Sequence, residues 1–278
     1  MNSQSQFTNT LPLISEVTSA FNGVRSIVTT CSALDDVKTV ICGHSHAGAL
    51  CMGIVEPGKG IEQSHIEECG FAGLFGGQPD DVYWTQVVEL GERRNVAIVW
   101  NGNQHNADFL LQPEPPFDLI PRGYVPVSVL PGARIEPEAM LREHFRPTFS
   151  ELDVVLKRLG QRARRRVFVT GTPAPLEDAA MVKERLAREP FFAARASSLG
   201  IDIGTVPIRA AAVRRKLWFV IQEMLAESAA RWGAQFVPTP QESLNANGFL
   251  DTLFSSGDIT HANGRYGRLM LGKLAEYL

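Results

Sequence analysis

The 278-residue chain has few cysteines, no lopsided charge and no long apolar run, and each shortage removes a class of protein. Its four cysteines (Cys31, Cys42, Cys51, Cys69) show no CxxC spacing, so neither a zinc knuckle nor a disulfide framework is expected. With 27 basic against 30 acidic residues the formal charge is −3, which gives no general pull toward nucleic acid or an anionic membrane. No stretch approaches the ~18 to 20 apolar residues that span a bilayer. The opening Met1-Asn2-Ser3-Gln4-Ser5-Gln6-Phe7 has neither the basic start nor the apolar stretch of a signal peptide. The expectation is a soluble, cytoplasmic protein.

What is present is ordinary globular composition, 44% apolar and 21% charged, with 24 glycines and 17 prolines. Four runs rich in β-branched residues, Val37–Cys42, Val96–Trp100, Arg166–Thr170 and Ala234–Val237, read as strands. They are apolar nearly throughout, the pattern of a sheet covered on both faces. Helical spacing links Leu152, Val155, Leu156 and Leu159, then Val213, Leu217, Val220, Ile221 and Leu225, and a last helix from about Arg265 to Leu278. Alternation on this scale predicts a parallel sheet between two helical layers. One further strand is expected between Gly60 and Cys69. The proline-rich 107–137 segment reads as an ordered flap, because Phe109, Leu110, Phe117 and Tyr124 give it apolar content. One domain over 1–278 is expected, with an N-terminal arm to about residue 36.

Three strings carry chemistry. Thr39-Val40-Ile41-Cys42-Gly43-His44-Ser45-His46-Ala47-Gly48 reads as a strand, a tight turn and a helix start. Such an elbow projects a nucleophile, here Ser45, and leaves backbone N–H groups free to bind an oxyanion. The plainer alternative is that Ser45 only caps the helix. Gly257-Asp258-Ile259-Thr260-His261-Ala262-Asn263 precedes the last helix. An Asp three residues before a His can steer the imidazole and stabilise its charged form; the plainer alternative makes Asp258 a turn former and Asn263 an N-cap. Trp100-Asn101-Gly102-Asn103-Gln104-His105 leaves a strand at its carboxyl end, where open α/β sheets bind ligands. Gly171-Thr172-Pro173-Ala174-Pro175 leaves another and reads as a pocket wall.

Taken in order, these strings resemble the SGNH hydrolases, or GDSL esterases, over roughly Val37 to Leu278. The resemblance implies a three-layer α/β/α sandwich with a flavodoxin-like, five-stranded parallel sheet in the order 2-1-3-4-5. It implies a serine esterase or deacylase acting on a small ester, including an O-acyl group on a carbohydrate, with Ser45, His261 and Asp258 as triad. The oxyanion donors it implies are the Ser45 amide, the side chain of Asn103 and a glycine, Gly70 or Gly73; Gln104 is the alternative side-chain donor. His44, His46, Gln104 and His105 are expected to line the substrate site. His44 stands where the family has Asp, and Gly102-Asn103-Gln104-His105 where it has Gly-x-Asn-Asp.

No cofactor or metal is expected, nor a nucleic-acid or membrane partner; oligomeric state stays open. Two rival readings are a metal-dependent hydrolase, because Gly43-His44-Ser45-His46 also matches a metal-binding Gly-His-x-His, and an SGNH-like binding domain without activity. The basic clusters Arg162, Arg164, Arg165, Arg166 and Arg209, Arg214, Arg215, Lys216 read as solvated faces.

Overall fold

A computed structural model describes residues 26–56, 58–75, 80–112, 114–124 and 128–278. The first 25 residues of the expected arm lie outside it. A six-stranded sheet forms the middle of the molecule. Its strands are β1 (Ser26–Thr29), β2 (Thr39–Gly43), β3 (Phe71–Phe75), β4 (Asn95–Val99), β7 (Val167–Thr170) and β8 (Gln235–Val237), in the order β1-β3-β2-β4-β7-β8. The last five are parallel, and β1 pairs antiparallel with β3. The expected five-stranded parallel sheet is therefore corrected to a mixed sheet of six. The added edge strand comes from the segment read as an arm. Among themselves the parallel strands follow the order 2-1-3-4-5.

Successive side chains of each strand enter opposite cores, as the period of two requires. Val40, Cys42, Val96, Ile98 and Val169 join one apolar cluster, with helices α3 (Asp81–Gly91), α5 (Glu138–Arg162) and α8 (Ala211–Arg231). Ile41, Ala97, Val99, Phe168 and Val237 join the other, with α1 (Ala47–Val55), α2 (Gln63–Cys69), α6 (Ala179–Leu186), α7 (Pro190–Ser198) and α9 (Gly264–Ala275). Both faces are dry, which explains strands without polar alternation.

The strand expected within 60–69 is a correction as well. Residues Gln63–Cys69 are helical, Gly70 ends the helix in the left-handed conformation (φ 56°), and β3 starts at Phe71. The 107–137 segment contains a helical end, then a short parallel pair, β5 (Phe117–Asp118) with β6 (Arg134–Ile135). Asp118, 1% exposed, fastens it: its carboxylate accepts from Leu119 N, Leu130 N and, at 2.7 Å, from the buried Lys216 ammonium of α8.

Two helices position the site. α1 follows β2, and α9 follows the Asp258–His261 turn. A Cβ on Gly267 of α9 would lie 1.8 Å from the carbonyl oxygen of Ala49, and one on Gly53 of α1 would lie 2.5 Å from Arg268 N. Glycine at both points lets the two backbones touch. Arg268, 3% exposed, then donates to the carbonyls of Gly53, Glu56 and Ile61, capping the carboxyl end of α1 with a cation.

Candidate active site

β2 ends at Gly43, whose φ of 138° suits glycine and whose added Cβ would lie 2.0 Å from Val99 O. The chain stays against β4 for one more residue, through His44 N to Val99 O at 3.0 Å. It then turns at Ser45 and enters α1, which is rich in small residues at its start. The Ser45 side chain is exposed, and its hydroxyl makes no hydrogen bond among the described residues. The amides of Ser45 and His46 likewise have no acceptor there, being among the N–H groups a helix start leaves over.

The Asp258–His261 turn lies against this elbow, the rings of His46 and His261 standing 5.2 Å apart. Asp258 Oδ2 accepts from His261 Nδ1 at 2.9 Å, and Oδ1 accepts from the amides of His261 (2.6 Å) and Thr260 (2.8 Å). A carboxylate only accepts, so His261 carries its proton on Nδ1 and offers the lone pair of Nε2. Burial pushes the Asp258 carboxyl up. The hydrogen bonds from the His261 ring and amide outweigh burial and hold it well below the usual carboxylate range. Side chains from elsewhere fix the turn. Glu189, preceding α7, accepts from Ile259 N at 2.7 Å, and Arg185 of α6 donates to Asp258 O at 2.7 Å and to Ser255 Oγ at 2.6 Å.

The loop after β4 closes the third side. Asn103 Nδ2 donates to Thr260 Oγ1 at 3.3 Å, so its amide lies beside the Asp–His turn. Asn106, of α4 (Gln104–Ala107), reaches Ile259 O. Gln104 instead directs its amide to Thr148 of α5. Behind this loop, Thr172 leaves no room for a Cβ on Gly102 (2.4 Å) and is held by Gln222, Trp218 and Thr239. Thr172 is thus fixed at its amide, its carbonyl and its side chain.

Several expected roles change. Gly70 lies at the amino end of β3, its carbonyl accepting from Lys38 N and Thr39 N, across the sheet from Ser45. Gly73 pairs with Ile41 inside the sheet, and its missing Cβ makes room for Cys51 Sγ at 2.4 Å. Neither glycine faces the elbow, so neither serves as its oxyanion donor. His46 and His105 are each 3% exposed, which removes them from the substrate-lining set. Gln104 donates to Thr148 Oγ1 of α5 rather than to the Asp–His turn. His105 Nδ1 donates to Gly102 O at 3.1 Å, a link internal to the loop. His44 is half-buried, edge-on to Trp100 with 4.5 Å between centroids and 5.9 Å from Trp84. Burial lowers His44 to about 4 and His46 to about 3, the latter helped by His261 and His105; burial and then Arg214 lower His105 to about 3. Thr260, Glu189 and Arg185 were not singled out from sequence. Thr260 sat inside a motif already marked, whereas nothing local ties residues 185 and 189 to residue 258.

The Gly-His-x-His reading finds no matching geometry: His44 turns to two tryptophans and His46 to His261. Among the described residues no three His, Cys, Asp or Glu side chains are grouped to hold a metal ion. No helix among them is long and apolar enough to cross a membrane.

No family model matches the chain, and no curated protein does. It is similar in structure to a Bacteroides fragilis protein described as an acylhydrolase (TM-score 0.46, 12% identity, covering 88% of this chain and 87% of that one). A GDSL-like lipase from Bacteroides thetaiotaomicron gives a TM-score of 0.44 at 13% identity, covering 88% of each chain. A variant of a Geobacillus acetyl-xylooligosaccharide esterase gives 0.43 at 12%, covering 85% of this chain and 91% of that one.

Proposed function

We propose that the chain is a serine hydrolase of SGNH type that cleaves a small acyl ester, with an O-acylated saccharide as the first natural substrate class to test. The observation that carries this reading is the Asp258–His261 pair at 2.9 Å, set against an elbow with an exposed serine and two unengaged amides. In this reading His261 Nε2 takes the proton of Ser45 Oγ as that oxygen attacks the acyl carbon. Asp258, kept ionised by its hydrogen bonds, stabilises the imidazolium that forms. The Ser45 and His46 amides and Asn103 Nδ2 receive the negative charge that develops on the acyl oxygen. Collapse of the tetrahedral intermediate expels the alcohol, which takes its proton from His261. Water, activated by the same histidine, then releases the acid and frees Ser45. The Ser45–His261 hydrogen bond is the contact left for substrate to tighten, as is common in unliganded triads.

The test is covalent. Treatment with a fluorophosphonate should add one label per chain, on Ser45, and Ser45→Ala should lose both labelling and hydrolysis of p-nitrophenyl acetate. A label elsewhere, or a fully active variant, overturns the assignment. A well-folded wild-type protein that neither labels nor turns over favours the inactive binding domain.

A further inference from the structure

The carboxyl edge of the sheet holds a second feature, on the β8 side. The segment after β8 folds against the first turns of α8 and leaves a cavity of about 590 Å³, large enough for a sugar. Its wall is preformed. Asn245 Oδ1 accepts from the amides of Asn247 and Phe249, while the side-chain amides of Asn245 and Asn247 each donate to Glu177 at 2.8 Å. Glu177 is thereby engaged at both oxygens. Lys216, which borders the same space, is engaged with Asp118.

Arg215 is different. Its guanidinium lies 5.5 Å from the ring centres of both Tyr124 and Phe249, and no carboxylate or carbonyl among the described residues accepts from it. Gly248, at φ 75°, passes so close that a Cβ there would lie 2.5 Å from Arg215 Nη2. Among the described residues, two rings and a bare stretch of backbone therefore hold a planar cation in place without giving it an anion. An arginine normally gives up rotamer freedom for a carboxylate or phosphate that its fork can bind in pairs. Nearby, the side chains of Ser128, Tyr124 and Gln241 border the cavity without a hydrogen bond among the described residues. They suit hydroxyl groups. The sequence had offered Arg215 only as part of a solvated basic face.

We propose that this cavity binds a polyhydroxylated anion, a monosaccharide carrying a carboxylate or a phosphate. Arg215 forks onto the anionic group, and Ser128, Tyr124 and Gln241 take the hydroxyls. The site does not depend on Ser45 chemistry.

Calorimetric titration of the full chain with D-glucuronate, glucose 6-phosphate, glucose, acetate and inorganic phosphate tests it. One of the charged sugars should bind with one-to-one stoichiometry, at least about tenfold more tightly than glucose and than acetate or phosphate alone; which one binds identifies the anionic group. Arg215→Gln should weaken that binding at least about tenfold, as loss of a paired, charge-assisted contact does. Arg215→Lys, which keeps the charge and loses the fork, should weaken it too. Ser128→Ala leaves Arg215 in place and should cause a smaller loss, so it serves if the arginine variants do not fold. Ser45→Ala should bind as wild type does. The proposal fails if neither charged sugar binds, if glucose or the simple anions bind equally well, or if Ser128→Ala and every folded Arg215 variant bind unchanged. It fails also if Ser45→Ala abolishes binding, since the ligand would then occupy the catalytic turn.

Discussion

Ser45 is exposed while its neighbours His44 and His46 are turned inward, so one residue of three at the elbow offers a side chain to solvent without obstruction. The Asn103 side-chain amide lies beside the Asp–His turn, donating to Thr260 Oγ1. If that amide stabilises the oxyanion, it acts chiefly in the transition state, and Asn103→Ala should lower kcat by ~10²–10³ with little change in KM. Gln104→Ala should change kcat by less than about tenfold, because its amide is engaged at Thr148. Steady-state kinetics on the two variants decide, and the reverse ranking would shift the donor to Gln104. The turn at Ser45 and the Asp258–His261 pairing were legible in sequence because each belongs to a short local pattern, a strand-end turn or an acid three residues before a histidine. Gly70 and Gly73 were misread because their positions depend on where β3 starts. Reading 60–69 as a strand displaced the carboxyl edge by a whole element. Glu189 and Arg185 were illegible for another reason. They reach the Asp–His turn across about 70 residues of chain, and no local spacing records such a contact.

At the scale of elements, the contact between α1 and α9 connects the two halves of the site. The elbow lies at the start of α1 and the Asp–His turn just before α9, so the distance between them follows from how closely these helices pack. Gly53 and Gly267 set that closeness. Gly267→Ala adds a methyl 1.8 Å from the Ala49 carbonyl, and backbone cannot yield as a flexible side chain can. Overpacking of this kind costs about 1–3 kcal/mol, more than the gain in helix propensity of about 1 kcal/mol that Ala has over Gly. We expect a lower urea midpoint and, because the helices must separate, a fall in kcat even where the variant is fully folded. Gly204→Ala is the control. Its backbone is outside the left-handed region, the nearest atom to an added Cβ is the Asp202 carboxylate oxygen at 3.4 Å, and it lies outside the α1–α9 contact. Equal stability and activity for Gly267→Ala and wild type would show that the helices are not held at that distance. The strands and long helices were legible because burial on both faces, or on one stripe, writes itself into the sequence. Close approach through glycine does not, since a glycine that admits a neighbour reads the same as one in a turn.

Across the whole molecule, the carboxyl edge concentrates imidazoles that folding keeps neutral. His46 and His105 are lowered to about 3 and His44 to about 4, in each case first by burial, from an ordinary value of 6.5. Between those limits the unfolded chain takes up protons that the folded chain refuses. Stability therefore falls as pH drops below about 6.5 and stops falling from this cause once the folded groups also protonate. One such histidine gives a slope of at most about 1.4 kcal/mol per pH unit. Asp258 adds a loss at the acid end, since its carboxyl is held below the usual range and its contribution disappears as pH falls through the folded value. Glu189, raised by burial, acts in the opposite sense, so the overall slope alone does not isolate the histidines. Comparison of variants does. Urea unfolding of wild type and His46→Asn should be followed from pH 7.5 to 5, a window above the ordinary carboxylate range. Wild type should lose stability steadily, and His46→Asn should lose it with a slope shallower by up to about 1.4 kcal/mol per pH unit, whatever its absolute stability at pH 7.5. Parallel slopes would mean that His46 takes up its proton in the folded protein as readily as in the unfolded one, which would require the ring of His46 to be open to water beside His261.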